Sequence, residues 1–120
     1  GGPGADVAVV LWQFRLVLWE VLYDLAESPA EYETARDVAQ AAVELARARA
    51  AARPDDAVAR YHLSIAYVGL GRSSVALGDD DAAERYYRQA LSESRALSER
   101  DPSNLRWLRG VGVAAGYMEA

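Results

Sequence analysis

Several residue types that carry protein chemistry are missing from this sequence of 120 residues. It contains no cysteine, which excludes disulfide bridges, thiol nucleophiles and thiolate metal sites. All 13 basic residues are arginine, so no lysine can form a Schiff base or contact the phosphates of a phosphate-binding loop. The single histidine cannot supply both ligands of a helix-borne HExxH zinc site. We therefore expect no enzyme activity, no catalytic residue, no metal and no cofactor.

The residues that are present indicate a folded, acidic chain. Hydrophobic residues make up 52% of the sequence, which is typical of a chain with a packed core. The 18 acidic side chains outnumber the basic ones and give a formal net charge of -5. This balance argues against a nucleic-acid partner, whose phosphates require a basic surface. The length fits one domain, or one piece of a larger protein.

The most apolar stretch runs from Val7 to Leu25. Arg15, Glu20 and Asp24 interrupt it, whereas a membrane-spanning helix needs about 20 apolar residues with few or no charges. The sequence also lacks the basic segment and cleavage site of a signal peptide. We therefore expect a mostly buried helix in a soluble, cytoplasmic protein with no membrane partner.

Strand patterns are nearly absent, and helix-forming residues are divided by helix breakers at regular intervals. The breakers are Pro29, Pro54, Gly78 and Pro102, each beside Asp, Ser or Asn residues that can cap a helix. Residues 1–5 are predicted to be a linker or cloning scar, and residues 6–120 a single helical domain. The predicted helices are Asp6–Glu27, Ala30–Arg53, Asp56–Leu77, Asp80–Arg100 and Asn104–Glu119.

The chain resembles itself when it is shifted by 48 residues. Pro54 then falls on Pro102, and Trp19 falls on Tyr67. Such a period indicates a helix–turn–helix unit stacked on copies of itself. The units are repeat 1 at about 6–53, repeat 2 at about 54–101 and a partial repeat 3 at about 102–120.

The second repeat carries a set of large, small and turn residues at characteristic spacings. They are Tyr67, Leu70, Gly71, Leu77, Gly78, Asp79, Ala83, Tyr87 and Ala90. This set resembles the tetratricopeptide repeat (TPR), and is similar to the longer variants found in bacterial regulatory and multidomain proteins. The first repeat departs from the pattern, since Tyr23 stands at the position of Gly71. The resemblance implies an all-α fold in which antiparallel helix–turn–helix repeats stack as a short right-handed α-solenoid of about five helices.

The resemblance also implies a function, because the first helices of successive TPR repeats line a concave groove that holds a peptide or a partner helix. By position, the groove residues are Val17, Glu20, Asp24, Ile65, Val68 and Arg72. We therefore expect a protein–protein interaction module, a scaffold or sensor segment of a larger bacterial protein. The acidic residues Glu20, Asp24 and Glu27 suit an Arg or Lys side chain of the partner, or are simply the solvated side of the first helix.

A second function follows from the ends of the array. A solenoid end needs a polar capping surface, yet the polar residues of the first helix form only one narrow stripe. An uncovered apolar surface of this size promotes association. The alternative is therefore a self-assembling structural element that forms a homo-oligomer through its first helix, its last helix or both.

Three motifs that suggest chemistry have structural interpretations. Asp79, Asp80 and Asp81 are placed to cap a helix, and their spacing does not match a calcium loop. The glycines from Gly110 to Gly116 lie within a predicted helix with no strand before it, which does not fit a nucleotide-binding loop. His62 aligns with Phe14 of the first repeat, which favours a packing role.

Overall fold

The computed structural model describes residues 3–119, which form five α-helices and no strand within that range. The helices are α1 Pro3–Leu25, α2 Pro29–Ala52, α3 Ala57–Ala76, α4 Asp80–Arg100 and α5 Leu105–Glu119. The predicted all-α class is confirmed, and the predicted helix bounds differ from these by three residues at most. The largest difference is at the start of α1, because residues 3–5, predicted as part of the linker, belong to the helix. The rest of that predicted linker, residues 1 and 2, lies outside the described residues.

Side-chain caps explain where the helices begin. The side chains of Ser28, Asp56 and Asp79 each accept a hydrogen bond from the backbone N–H three residues later, which satisfies a donor that the first helical turn leaves free. The donor–acceptor distances are 3.3, 3.1 and 3.1 Å. Asp79 follows Gly78, whose φ of 78° is the one positive value among the described residues and suits a glycine after a helix end. The predicted capping role of Asp79 is confirmed.

The third helix is the centre of the structure. Each helix packs against the next one in sequence, and α3 also contacts α1 and α5. Within the described residues α2 and α4 do not contact each other, so α3 is the helix that joins the two ends of the molecule.

Small residues allow α3 to approach its neighbours closely. A Cβ atom at Gly71 would overlap the ring of Tyr87 on α4, and one at Gly69 would lie 3.4 Å from the indole of Trp19 on α1. Ala83 and Ala90 on α4 are buried as well. The close-packing role predicted for Gly71, Ala83 and Ala90 therefore agrees with the structure.

The expectation that α1 is mostly buried is wrong. Trp12 and Trp19 are each only 4% exposed, but Phe14 is 67% exposed and its apolar neighbours are similarly open. The reason is that α2 and α3 cover one side of α1 and no described residue covers the other. No described helix is long and apolar enough to cross a membrane.

Candidate functional site

A cleft with a mainly apolar lining lies between α3 and α5. Its volume is about 380 Å³. The side contributed by α3 consists of Tyr61, Ser64, Ile65 and Val68. The side contributed by α5 consists of Arg106, Arg109, Gly110 and Val113.

The two helices that form the cleft both pack against α4 near Ser94. Ser64 donates a hydrogen bond to the carbonyl oxygen of Ala90 at 3.1 Å, and its Oγ lies 2.7 Å from the Oγ of Ser94. A Cβ at Gly110 would lie 3.4 Å from that same Ser94 Oγ, so the absence of a side chain at Gly110 lets α5 lie close to α4. Both α3 and α5 therefore pack against the same part of α4, which places them side by side as the two walls of the cleft.

The two walls differ in charge. We call the apolar side chains of Ile65, Val68 and Val113 the floor of the cleft, whereas Arg106 and Arg109 make the α5 wall basic. The guanidinium of Arg106 lies 5.7 Å from the centre of the Tyr61 ring, a cation–π distance that holds the arginine over the rim. Arg106 and Arg109 are both exposed, so their charges face solvent at the cleft mouth. The cleft thus combines an apolar floor with two positive charges on one side.

The structure brings together two of the six residues predicted to line the groove. Ile65 and Val68 lie in the cleft and are half-buried. Arg72 lies elsewhere on α3, with its guanidinium 4.7 Å from the Tyr23 ring centre and 5.4 Å from that of Trp19. Arg72 therefore serves to pack α3 against α1.

The other three predicted residues, Val17, Glu20 and Asp24, are exposed on α1 and do not line the cleft. Within the described part of the chain, Glu20 and Asp24 take part in no ion pair. Val17 belongs to a broad apolar surface of α1 rather than to a concave one.

Sequence reasoning missed the contribution of α5. Val113 and Arg109 lie 48 residues after Ile65 and Tyr61, so the repeat itself equates these positions. Extending the groove residue Ile65 by one further repeat would have identified Val113, whereas Arg109 corresponds to Tyr61, which was not among the predicted groove residues. Arg106 had no such signal, because its role depends on the contact with the Tyr61 ring.

The single histidine is part of the core rather than of a reactive site. The His62 ring stacks on Trp12 with ring centres 3.8 Å apart, and its Nδ1 lies 2.7 Å from a guanidinium nitrogen of Arg49. Burial and, to a smaller extent, the nearby Arg49 charge lower the pKa of His62 to about 4. His62 is therefore neutral near pH 7 and accepts a hydrogen bond from Arg49, which agrees with the predicted packing role.

Acidic groups do not converge in the structure either. No cluster of three or more potential metal ligands occurs among the described residues. Asp79 is engaged in capping α4, as its hydrogen bond to Ala82 shows.

Comparison of the chain with protein-family models, curated proteins and solved structures finds no match.

Proposed function

We propose that the chain is a non-catalytic, TPR-like interaction module that holds a peptide or partner helix in the cleft between α3 and α5. The observation that carries the proposal is the cleft itself, which has an apolar floor and a basic wall. Sites that bind ligands are concave and mostly apolar, with a few polar groups that fix orientation.

The arrangement proposed for the helices is a short right-handed α-solenoid of two helix pairs and a fifth helix. The contacts of α3 with both α1 and α5, and the lack of contact between α2 and α4 in the described residues, support this arrangement. The 48-residue period supports it independently. In such an array α1, α3 and α5 are the first helices of successive repeats, so the cleft lies on the groove side.

The charges of the cleft define the chemistry of the partner. One large apolar side chain would occupy the floor formed by Ile65, Val68 and Val113, and a neighbouring Asp or Glu would contact Arg106 or Arg109. A peptide long enough to reach α1 would also meet the carboxylates of Glu20 and Asp24, which favour an Arg or Lys at that end. The net charge of -5 disfavours nucleic acid as an alternative occupant.

A peptide selection tests this proposal. A random 12-residue library displayed on phage would be selected on the immobilised chain, and the enriched peptides would be synthesised for affinity measurement. We expect a large apolar residue close to Asp or Glu in the enriched sequences. The Val113→Glu variant should bind them at least tenfold more weakly, because it places a carboxylate on the apolar floor.

Leu105→Glu is the matched control, since Leu105 is an exposed apolar residue of the same helix that does not line the cleft. It should bind as the unmodified chain does. Equal affinity for the Val113→Glu variant would contradict the proposal, as would a selection that enriches nothing.

The acidic stripe of α1 is tested separately with the same peptides. Reversing Glu20 and Asp24 to Lys should weaken the binding of any peptide whose basic end reaches α1. Unchanged affinity for a peptide with a basic end would mean that the stripe is only a solvated helix face. Each exposed ion pair contributes about 0.2–1 kcal/mol, so we expect an effect of several-fold at most.

No catalytic step is part of the proposed function. His62 is the side chain whose ordinary pKa lies nearest neutrality, and its ring is engaged by Trp12 and Arg49. A cytoplasmic location remains a prediction from the sequence. The second candidate function, self-assembly, depends on the exposed side of α1 rather than on the cleft.

A further inference from the structure

The side of α1 that faces away from α2 and α3 is a continuous apolar surface. We call it the α1 face, and it consists of Val7, Val10, Leu11, Phe14, Val17, Leu18, Val21 and Leu25. Their side chains are between 38% and 72% exposed. Because they recur at steps of three and four residues, they lie on one side of the helix, and no charged residue lies among them.

The internal repeat shows that this surface occupies a position that is covered elsewhere in the molecule. Shifting the α1 face by 48 residues places seven of its members on α3. Two of them, Val10 and Val17, fall on the exposed Val58 and the half-buried Ile65. The other five pairs are Leu11 and Ala59, Phe14 and His62, Leu18 and Ala66, Val21 and Gly69, and Leu25 and Ser73. All five α3 residues are buried, whereas all five α1 residues are exposed or half-exposed.

The preceding helices provide the cover on α3. Trp19 of α1 lies against Gly69 and donates a hydrogen bond to Ser73 at 2.8 Å, and Trp12 stacks on His62. Arg49 of α2 contacts His62 as well. At these five positions the described helices cover α3 but leave the α1 face uncovered.

The size of the α1 face matches a protein–protein interface. Eight side chains with this exposure present on the order of 800 Å², which is about what each partner contributes to an interface of standard size. It also exceeds the largest apolar patch of a typical monomer, roughly 300–600 Å². A surface of this area is large enough to support a stable dimer.

The composition of the α1 face fits a second copy of itself. Val7, Phe14 and Val21 recur every seven residues, as do Leu11, Leu18 and Leu25, and this spacing lets the side chains of two helices interlock as knobs into holes. On α3 the same positions are mainly small, because they receive the large Trp rings of α1. The large residues of α1 instead suit a partner helix whose side chains are equally large and leave spaces between them.

A hydrogen bond between flanking polar side chains favours an antiparallel pairing of the two copies. Residues 16 and 17 lie at the middle of the α1 face. If the two-fold axis of an antiparallel pair passes between them, Glu20 lies opposite the partner's Gln13. An amide can donate a hydrogen bond to a carboxylate, so this contact is favourable. Antiparallel helices also align their dipoles favourably.

We propose that the chain forms a two-fold symmetric dimer in which the α1 face packs antiparallel against the α1 face of a second copy, with the symmetry axis near Val17. The interface is separate from the cleft, so this inference does not depend on the proposed peptide binding. A symmetric interface of this kind closes on itself and stops at two copies.

Solution mass tests the assembly. Size exclusion with light scattering across a concentration series should give twice the 13.0 kDa mass of one chain. The Phe14→Glu variant should give the mass of one chain at every concentration, with unchanged helical circular dichroism, because this side chain is 67% exposed. Val75→Glu is the matched control, since Val75 is 51% exposed on α3 and lies outside the α1 face, and it should remain dimeric.

Engineered cysteines test the symmetry, and the absence of native cysteine makes the result unambiguous. Val17→Cys should form a disulfide-linked dimer under mild oxidation, because the two copies of residue 17 lie beside the axis. Val21→Cys should not, since antiparallel pairing separates the two copies of residue 21 by about 13 Å along the helices, beyond the reach of a disulfide.

Three outcomes would overturn the proposal. A monomeric mass at the highest concentration would mean that a different protein or another segment covers the α1 face. Masses that grow beyond two copies would indicate head-to-tail assembly. Efficient cross-linking of both cysteine variants would indicate a parallel pair.

Discussion

At the scale of single residues, Gly71 determines how closely α3 and α4 can lie. A Cβ there would overlap the Tyr87 ring, which is buried and stacks on Tyr117 with ring centres 5.1 Å apart. The ring cannot move aside without disturbing that stack. We expect Gly71→Ala to lower the free energy of unfolding by about 1–3 kcal/mol, as overpacked core substitutions do, measured by urea denaturation.

Gly112 provides the control, because it lies within α5 and a Cβ there meets nothing within 4 Å. Alanine is the better helix former, so Gly112→Ala should raise the free energy of unfolding by about 0.5–1 kcal/mol. If Gly71→Ala were also stabilising, the close approach of the two helices would not be a property of the protein in solution.

His62 makes stability depend on pH. Its pKa is lowered to about 4 in the folded chain by burial and then by the Arg49 charge, whereas an unfolded chain keeps the ordinary value of about 6.5. The unfolded state therefore gains a proton first as the pH falls. We expect the free energy of unfolding to be highest above about pH 6.5 and to fall by about 2 kcal/mol between pH 7 and pH 5, measured by urea denaturation at each pH.

His62→Phe separates this effect from the titration of carboxylates. Phenylalanine occupies the equivalent position 14 in the first repeat and can stack on Trp12, but it cannot bind a proton. The variant should lose the fall in stability between pH 7 and pH 5. An identical pH profile for both proteins would mean that His62 does not titrate below its ordinary range.

The sequence predicts the role of a single residue well where that role depends on neighbouring residues or on the repeat. Gly71 and Asp79 were identified because close packing and helix capping need particular residue types at particular spacings. Arg72 was placed in the groove, although its guanidinium lies over the rings of Trp19 and Tyr23. A long side chain can turn toward either of two surfaces, and position along a helix does not decide which.

At the scale of helices, two tryptophans of α1 connect it to α3 in different ways. Trp19 Nε1 donates to Ser73 Oγ at 2.8 Å, whereas the buried Trp12 Nε1 has no partner among the described residues. Replacing either ring by phenylalanine removes similar volume. We expect Trp19→Phe to destabilise the chain by about 1 kcal/mol more than Trp12→Phe does, because only Trp19→Phe breaks a hydrogen bond.

A double-mutant cycle with Ser73→Ala makes this comparison stringent. The Trp19→Phe and Ser73→Ala changes should be non-additive, while Trp12→Phe and Ser73→Ala should be additive within about 0.5 kcal/mol. Additive effects for the first pair would mean that the indole hydrogen bond does not join α1 to α3.

The helices themselves could be predicted because their limits are set by nearby residues, such as the caps at Ser28 and Asp56. The pairing of helices across the cleft could be predicted only in part. Val113 follows from the repeat, but the contact of Arg106 with Tyr61 depends on how α5 lies over α3. That placement is a tertiary property, in which Gly110 of α5 lies close to Ser94 of α4.

At the scale of the whole molecule, burial is uneven along the chain. Most of the central helix α3 is covered by its neighbours, whereas α1 is covered on one side. The sequence indicated an apolar first helix that would promote association, but not which of its residues would be left exposed. Which residues of α1 are exposed depends on the side from which α2 and α3 pack against it. The exposed residues then form two separate surfaces, the α1 face and the acidic stripe of Glu20 and Asp24.

Association through the α1 face should link stability to concentration. A dimer that forms only from folded chains stabilises the folded state by mass action, so the Tm rises with protein concentration. For a chain of this length we expect about 3 °C for each tenfold increase, measured by circular dichroism over a hundredfold range. Phe14→Glu should remove the dependence while leaving the cleft residues Ile65 and Val113 untouched. A concentration-dependent Tm in that variant would place the interface on another surface. A constant Tm in the unmodified chain would mean that α1 remains uncovered, because the unfolding of a monomer does not depend on concentration.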